Sequence, residues 1–196
     1  MAMGLINNAF QNTSSSVVTS KFSGDLEDLR VVPITNSQII FAMGLGGVIR
    51  GTLVALVTGL VGTTFHYYKI GEFLTISHPG WILFFILAGG LTFSFIGIFV
   101  AFIARTFDQL SAFSTFILLP LTYLGGVFVS IESLHPVWQL LSKFNPLFYL
   151  INGFRYSVIG VSDVNLLTSV LVCSLGVLVT YLMARFALVN GSFSRW

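Results

Sequence analysis

Nine lysines and arginines and seven aspartates and glutamates are all the charge that this 196-residue chain carries. Their placement constrains its fold more than any other feature. Residues 73–104, 109–131 and 164–184 hold none of them, and residues 31–68 hold only Arg50. A helix needs roughly 20 predominantly apolar residues to cross ~30 Å of hydrocarbon, and each run is long enough. Each also ends at a charge or a Pro/Gly break. The runs predict an all-α membrane protein, a polytopic helical bundle. A hydrophobic content of 55% and a mean hydropathy of +0.92 agree. The runs are too long and too uniformly apolar for the alternating strands of an outer-membrane barrel. A net charge of +2, thinly spread, gives no footprint for nucleic acid.

Residues 1–20 begin apolar and turn polar at Asn12-Thr13-Ser14-Ser15-Ser16. They lack the basic start and continuous apolar stretch of a signal peptide and read as the latter part of a span. Residues 21–36 are the most charged connection, with Lys21, Asp25, Glu27, Asp28 and Arg30. The segment fits either a solvated turn or a short helix with Leu26 and Leu29 on one face, and Pro33 and Asn36 end it. Residues 39–62, 81–104, 110–130 and 166–189 are the expected full spans, with residues 66–80 a loop between the first two. In the first of them Gly47, Gly51, Ala55 and Gly59 recur every fourth residue, a small-residue stripe that lets helix backbones approach closely. Arg50 lies in the same span. A central arginine costs ~2.5–3.5 kcal/mol to insert, so it is expected to face the bundle interior, either as a structural charge or in a transport role. Pro120 predicts a kink in residues 110–130.

Charge bias adds an orientation. Lys21, Arg30, Arg105, Arg185 and Arg195 fall on one side of this arrangement, and Lys69, Lys143 and Arg155 on the other. The positive-inside rule then places the first group and the C-terminus in the cytoplasm. Residues 131–164 are too apolar for a solvated loop. Ser133 as a cap and Pro136 at a first helical position open one short helix, Asn145-Pro146 breaks it, and residues 147–159 form a second. Neither is long enough to cross, so they are expected as re-entrant or interfacial outer-leaflet helices, with Trp138, Tyr149, Tyr156 and Arg155 at the membrane–water boundary.

Leu124-Gly125-Gly126-Val127-Phe128, Pro136-Val137-Trp138, Asn145-Pro146-Leu147-Phe148-Tyr149, Phe154-Arg155-Tyr156 and Gly160 resemble the C-terminal half of bacterial type-2 ABC transporter permeases. They are most similar to the small multidrug-type inner-membrane subunits. Asn12-Thr13-Ser14-Ser15-Ser16, Glu27-Asp28-Leu29, Pro33 and Gly46-Gly47-Val48-Ile49-Arg50-Gly51 resemble the earlier parts of that family. Against its six spans, the chain is expected to lack the first span and part of the second. The resemblance implies an ABC ATPase partner docked on residues 21–36, with Leu26 and Leu29 inserted in its groove and Glu27, Asp28, Arg30 and Pro33 around them. It also implies a second permease copy, with the pathway between copies lined by residues 1–20 and 110–130. Phe113, Phe116 and Tyr123 are then possible lining residues, and the helices around Trp138, Asn145, Pro146, Tyr149 and Arg155 an outer-leaflet gate.

The sequence offers no catalytic constellation. A phosphate-binding Gly-x-x-x-x-Gly-Lys-Ser/Thr loop is missing, so ATP hydrolysis belongs to a separate chain. His66, His78 and His135 lack metal-ligand spacing, Cys173 reads as a packing residue, and no cofactor is expected. The expectation is an ATP-driven exporter subunit of the bacterial inner membrane that moves an amphipathic or hydrophobic substrate. The alternatives are an ATP-independent transporter or channel, disfavoured by the lack of carboxylates in the spans, and a non-transporting scaffold.

Overall fold

The computed structural model describes residues 1–29, 32–72, 76–104, 106–127 and 135–191. No strand occurs among them, and the chain is an all-α bundle. Helix α1 (Ala2–Ser23) ends at Gly24, whose φ of 90° is left-handed and so suited to glycine. A single helical turn, α2 (Asp25–Asp28), follows. Helix α3 (Asn36–Ile70) starts at a reciprocal cap: Gln38 N–H donates to Thr35 Oγ1, and Thr35 N–H donates to Gln38 Oε1. At 1.5 Å per residue α3 is roughly 52 Å long, well beyond residues 39–62. The expected loop therefore begins only after Ile70, because Thr63 through Ile70 continue the backbone ladder to Gly71.

Helix α4 (Pro79–Ile103) is the centre of the bundle and contacts α1, α3, α8 and α9. Its glycines allow the approach. A Cβ on Gly97 would fall 2.8 Å from the Phe10 carbonyl oxygen, and one on Gly90 would fall 3.0 Å from Val48. The stripe on α3 works similarly: Gly47, Gly51 and Ala55 are buried, with Gly51 against Leu5 and Ala9 of α1. On α1 the buried side is Leu5, Ile6, Ala9, Phe10, Thr13, Ser14, Val17 and Val18, a band that repeats at helical spacing.

The turn after α4 is short. Helix α5 (Phe107–Phe113) is capped by Thr106 and runs through a π-helical stretch, Ser114–Leu118, into α6 (Leu119–Leu124). Pro120, where a kink is expected, follows this stretch, in which Leu119 N–H reaches Ser114 O, a wider step than the α-helical one. Helices α7 (Pro136–Phe144) and α8 (Pro146–Ile159) match the two short helices expected around Asn145-Pro146. The cap is His135 rather than Ser133, which lies outside the described residues. Helix α9 (Leu166–Asn190) packs on α4.

Among the described residues, α3, α4 and α9 are each long and apolar enough to cross a membrane. Leucines 167, 171, 175, 178 and 182 of α9 and Leu45, Leu53, Leu56 and Leu60 of α3 are all exposed. A bundle with its outer faces lined by leucine suits hydrocarbon as its solvent.

Candidate transport pathway and coupling end

Helix α1 is two-sided. Opposite its buried band, Asn8, Gln11, Asn12, Ser15, Ser16 and Thr19 recur at three- and four-residue intervals and are partly or fully exposed. Several turn a hydrogen bond back onto the helix: Asn8 donates to Gly4 O, Asn12 to Asn8 O and Ser15 to Asn12 O. Their remaining polar capacity faces outward. A groove of about 400 Å³ runs between this face and α5, lined by Asn8, Gln11, Asn12 and Ser15 with Ser111 and Ser114 opposite. Phe10 stacks on Phe113 at 5.4 Å and fixes the two helices side by side. A hydroxyl and amide stripe at the surface of a membrane bundle needs a polar occupant or a partner to satisfy it.

This stripe was legible only as the polar run Asn12 through Ser16. Counting Asn8, Gln11, Asn12, Ser15 and Thr19 as one helical face is the signal that finds it. Of the possible lining residues, Phe113 is turned into the contact with Phe10, while Phe116 and Tyr123 are exposed.

Arg50 departs from its expected interior position. It is exposed beside α1, and its guanidinium donates to Asn12 Oδ1 at 3.2 Å. The glycine stripe, not the arginine, takes the inner face, because the backbones of α1 and α3 pass too closely there to admit a long side chain. A second crevice of about 160 Å³ lies here, lined by Asn12, Thr13, Ser16, Ala42, Met43, Gly46, Gly47 and Arg50.

One end of the bundle gathers α1's last turn, α2, the start of α3 and the last turn of α9. Leu26 is 1% exposed and sits with Leu29, Ile39 and Leu188. The leucine face expected to enter a partner's groove is thus turned into its own chain, since Gly24 folds α2 back under the bundle. Asp25, Asp28 and Pro33 are exposed, as are Phe22, Val32 and Ile34. The Glu27 side chain and Arg30 lie outside the described residues. Lys21, which belongs to the charged stretch in sequence, is 2% exposed, and its ammonium reaches the Phe102 carbonyl at 3.5 Å. A cation at the last turn of α4 is favourably placed against that helix's dipole.

The opposite end is tied together by polar side chains. Asn145 Nδ2 donates to Leu121 O at 2.6 Å, while its Oδ1 caps Leu147 N–H. Arg155 pairs with Asp163 and donates to Gly126 O at 3.1 Å. Tyr149 donates to Lys143 O, joining α8 to α7. Trp138 is half-exposed on α7, and Pro146 opens α8. Sequence reasoning missed Asn152. It is 1% exposed; its Nδ2 donates to Ser162, Val164 and Ser169, and its Oδ1 accepts from Asp163 N–H. Among the described residues no cluster of His, Cys, Asp or Glu suits a metal ion.

A helical bundle with leucine outer faces and a polar groove between two helices has the architecture of a polytopic membrane protein. The family profile for the ABC-2 type transporter matches residues 1–159. The inner membrane transport permease YadH of Escherichia coli strain K12 is 38% identical over 184 residues, which cover 94% of this chain and 68% of that protein. YadH of Shigella flexneri aligns equally well. Nodulation protein J of Azorhizobium caulinodans is 28% identical over 141 residues, covering 68% of this chain and 50% of that protein. No solved structure gives a significant match. The chain belongs to the ABC-2 type transporter family and is a permease subunit of the inner membrane.

Proposed function

We propose that this chain forms the membrane path of an ATP-driven exporter, with a separate ABC ATPase supplying the energy and a second permease copy facing α1 and α5. The polar groove between α1 and α5 carries this reading. Its amides and hydroxyls offer weak, exchangeable hydrogen bonds, which suit a cargo that must be released as well as bound. Phe116 and Tyr123, exposed further along the same run of helix, offer apolar surface to the hydrophobic part of an amphipathic cargo. Substrate entering from the cytoplasm or inner leaflet would pass along this face toward α7 and α8, which act as the outer gate. In this reading the end bearing Asp25 and Asp28, together with the C-terminus, is cytoplasmic and meets the ATPase.

The test is reconstitution of the chain with a cognate ABC ATPase. Amphipathic compounds should stimulate ATP hydrolysis, and replacing Asn8, Gln11 and Ser15 with leucine should remove that stimulation while leaving basal hydrolysis intact. Transport of a compound at the same rate with and without ATP would refute the reading in favour of a passive channel. Stimulation confined to small hydrophilic solutes would refute the cargo class.

A further inference from the structure

We infer that Pro120 is a positioning residue for the groove between α1 and α5. By barring the ordinary α-helical step across Ser114–Leu118, it keeps α5 one residue out of phase with α6. That offset is what turns Ser111 and Ser114 toward α1. Its importance for transport rests on the pathway proposed above, whereas the offset itself is a property of this helix.

The two halves of the helix are tied to different neighbours. On the α6 side, Asn145 Nδ2 donates to Leu121 O at 2.6 Å, and a Cβ on Gly125 would fall 2.6 Å from Ile151 of α8. On the α5 side, Phe113 stacks on Phe10, and Phe107 lies against Phe22. Leu118, Thr122 and Gly125 are buried and mark the inward face at the α6 end. Counted back along a regular helix at three- and four-residue steps, that face would continue through Ser114 to Ser111. Instead Leu110 is buried, at 6% exposure, and Ser111 is exposed. The π-helical stretch accounts for the difference. Leu119 N–H reaches back to Ser114 O, which lodges one extra residue in the turn, and one residue is about 100° of rotation.

Without the extra residue, each place on α5 would pass to the next residue in the sequence. With α6 held by its contacts, Ser111 would occupy the buried place of Leu110. Ser114 would stand where Phe113 meets Phe10, and Asp108 where Phe107 meets Phe22. Ala112 and Thr115 would replace Ser111 and Ser114 in the groove. Pro120 opposes that arrangement through the backbone alone. In a regular helix its ring would press on the Phe116 carbonyl, and it has no N–H to offer there. Its own side chain is exposed and does not line the groove, so it acts only through the phase of α5.

The experiment measures thiol labelling of the full chain in detergent, without any ATPase, after Cys173, its single cysteine, is replaced by alanine. Leu110→Cys and Ser111→Cys are introduced separately and treated with a small water-soluble methanethiosulfonate. Ser111→Cys should react several-fold faster than Leu110→Cys. Adding Pro120→Ala should bring the two rates together or reverse them, because the regular helix becomes available. Deleting Thr115 as well should restore the original ratio, since a regular helix one residue shorter brings both halves back into phase. Local damage from Pro120→Ala would not be repaired by removing a further residue. A ratio that Pro120→Ala leaves unchanged overturns the assignment, as does faster labelling of Leu110→Cys in the parent. A deletion chain that fails to fold, or folds without restoring the ratio, also overturns it. With a cognate ATPase present, stimulation by amphiphiles should follow the labelling ratio through the same chains. Stimulation that ignores the ratio refutes the groove as the cargo's path and leaves the phase of α5 standing, so the two readings fail separately.

Discussion

At the scale of single residues, the bundle depends on side chains that are absent as much as on those present. Gly47 sits where α1, α3 and α4 converge, and a methyl group there would strike the Thr13 and Ser94 hydroxyls and come 3.1 Å from the Ala9 carbonyl oxygen. Gly176 on α9 is different: a Cβ would meet nothing nearer than Thr92 Oγ1 at 3.8 Å. Gly47→Ala is therefore expected to cost about 1–3 kcal/mol by overpacking. Gly176→Ala should be neutral, or stabilising by up to about 1 kcal/mol through reduced backbone entropy. Thermal unfolding of the two variants in detergent checks the contrast, and equal melting temperatures would mean that the three helices are not held at this distance. The sequence announces Gly47 as a member of a four-residue stripe, yet spacing alone does not tell a glycine under load from one beside open space, as Gly176 is. Polar residues behave the same way. Asn152 satisfies four groups from a buried position, and nothing in its sequence neighbourhood separates it from Asn7 or Asn190.

The elements were legible where one local rule decided them. Long apolar runs with little or no charge mark α3, α4 and α9, and Asn145-Pro146 marks the break between α7 and α8, because proline supplies no N–H to a preceding helix. Elements set by tertiary contact were less so: α3 runs on to Ile70, and the face of α2 turns inward. Helix α7 shows how pattern and setting combine. Val137, Leu140, Leu141 and Phe144 share one face and are exposed, while Ser142 on the other side is fully buried. In water that orientation would be upside down, but on a bilayer it lays an apolar face into the lipid. A spin label at Phe144 or Leu140 is expected to collide more often with oxygen, which concentrates in lipid, than with a water-soluble nickel chelate. A label at Lys143 should show the opposite preference. Chelate contact dominating at all three sites would place α7 in water and rule out the proposed outer-leaflet gate.

For the molecule as a whole, the proposed function asks how an ATPase docked at the α2 end would move the groove along α1. Within the chain, a short series of contacts joins that end to the groove. Helix α2 follows α1 directly at Gly24, Leu26 wedges it under the bundle, and Lys21 ties the last turn of α1 to the Phe102 carbonyl of α4. Phe22 and Phe107, with ring centres 5.9 Å apart, link the same end of α1 to α5. A push on α2 would thus reach both walls of the groove as a rigid-body shift, not by separate signals to each helix. In this arrangement the leucines brace the segment from within, and the exposed Asp25 and Asp28 would meet the proposed partner, where charge sets encounter and register. The two roles separate by mutation. Asp25→Lys with Asp28→Lys should weaken co-purification with the ATPase by roughly tenfold or more at low salt, with melting temperature unchanged. Leu26→Ala should lower stability by about 2–5 kcal/mol, as for other buried leucines, and lose ATPase binding only as the segment comes loose. If the Leu26→Ala chain kept its melting temperature but lost the ATPase, while the charge reversal did neither, Leu26 would be the partner's anchor after all and α2 would have to swing outward to present it.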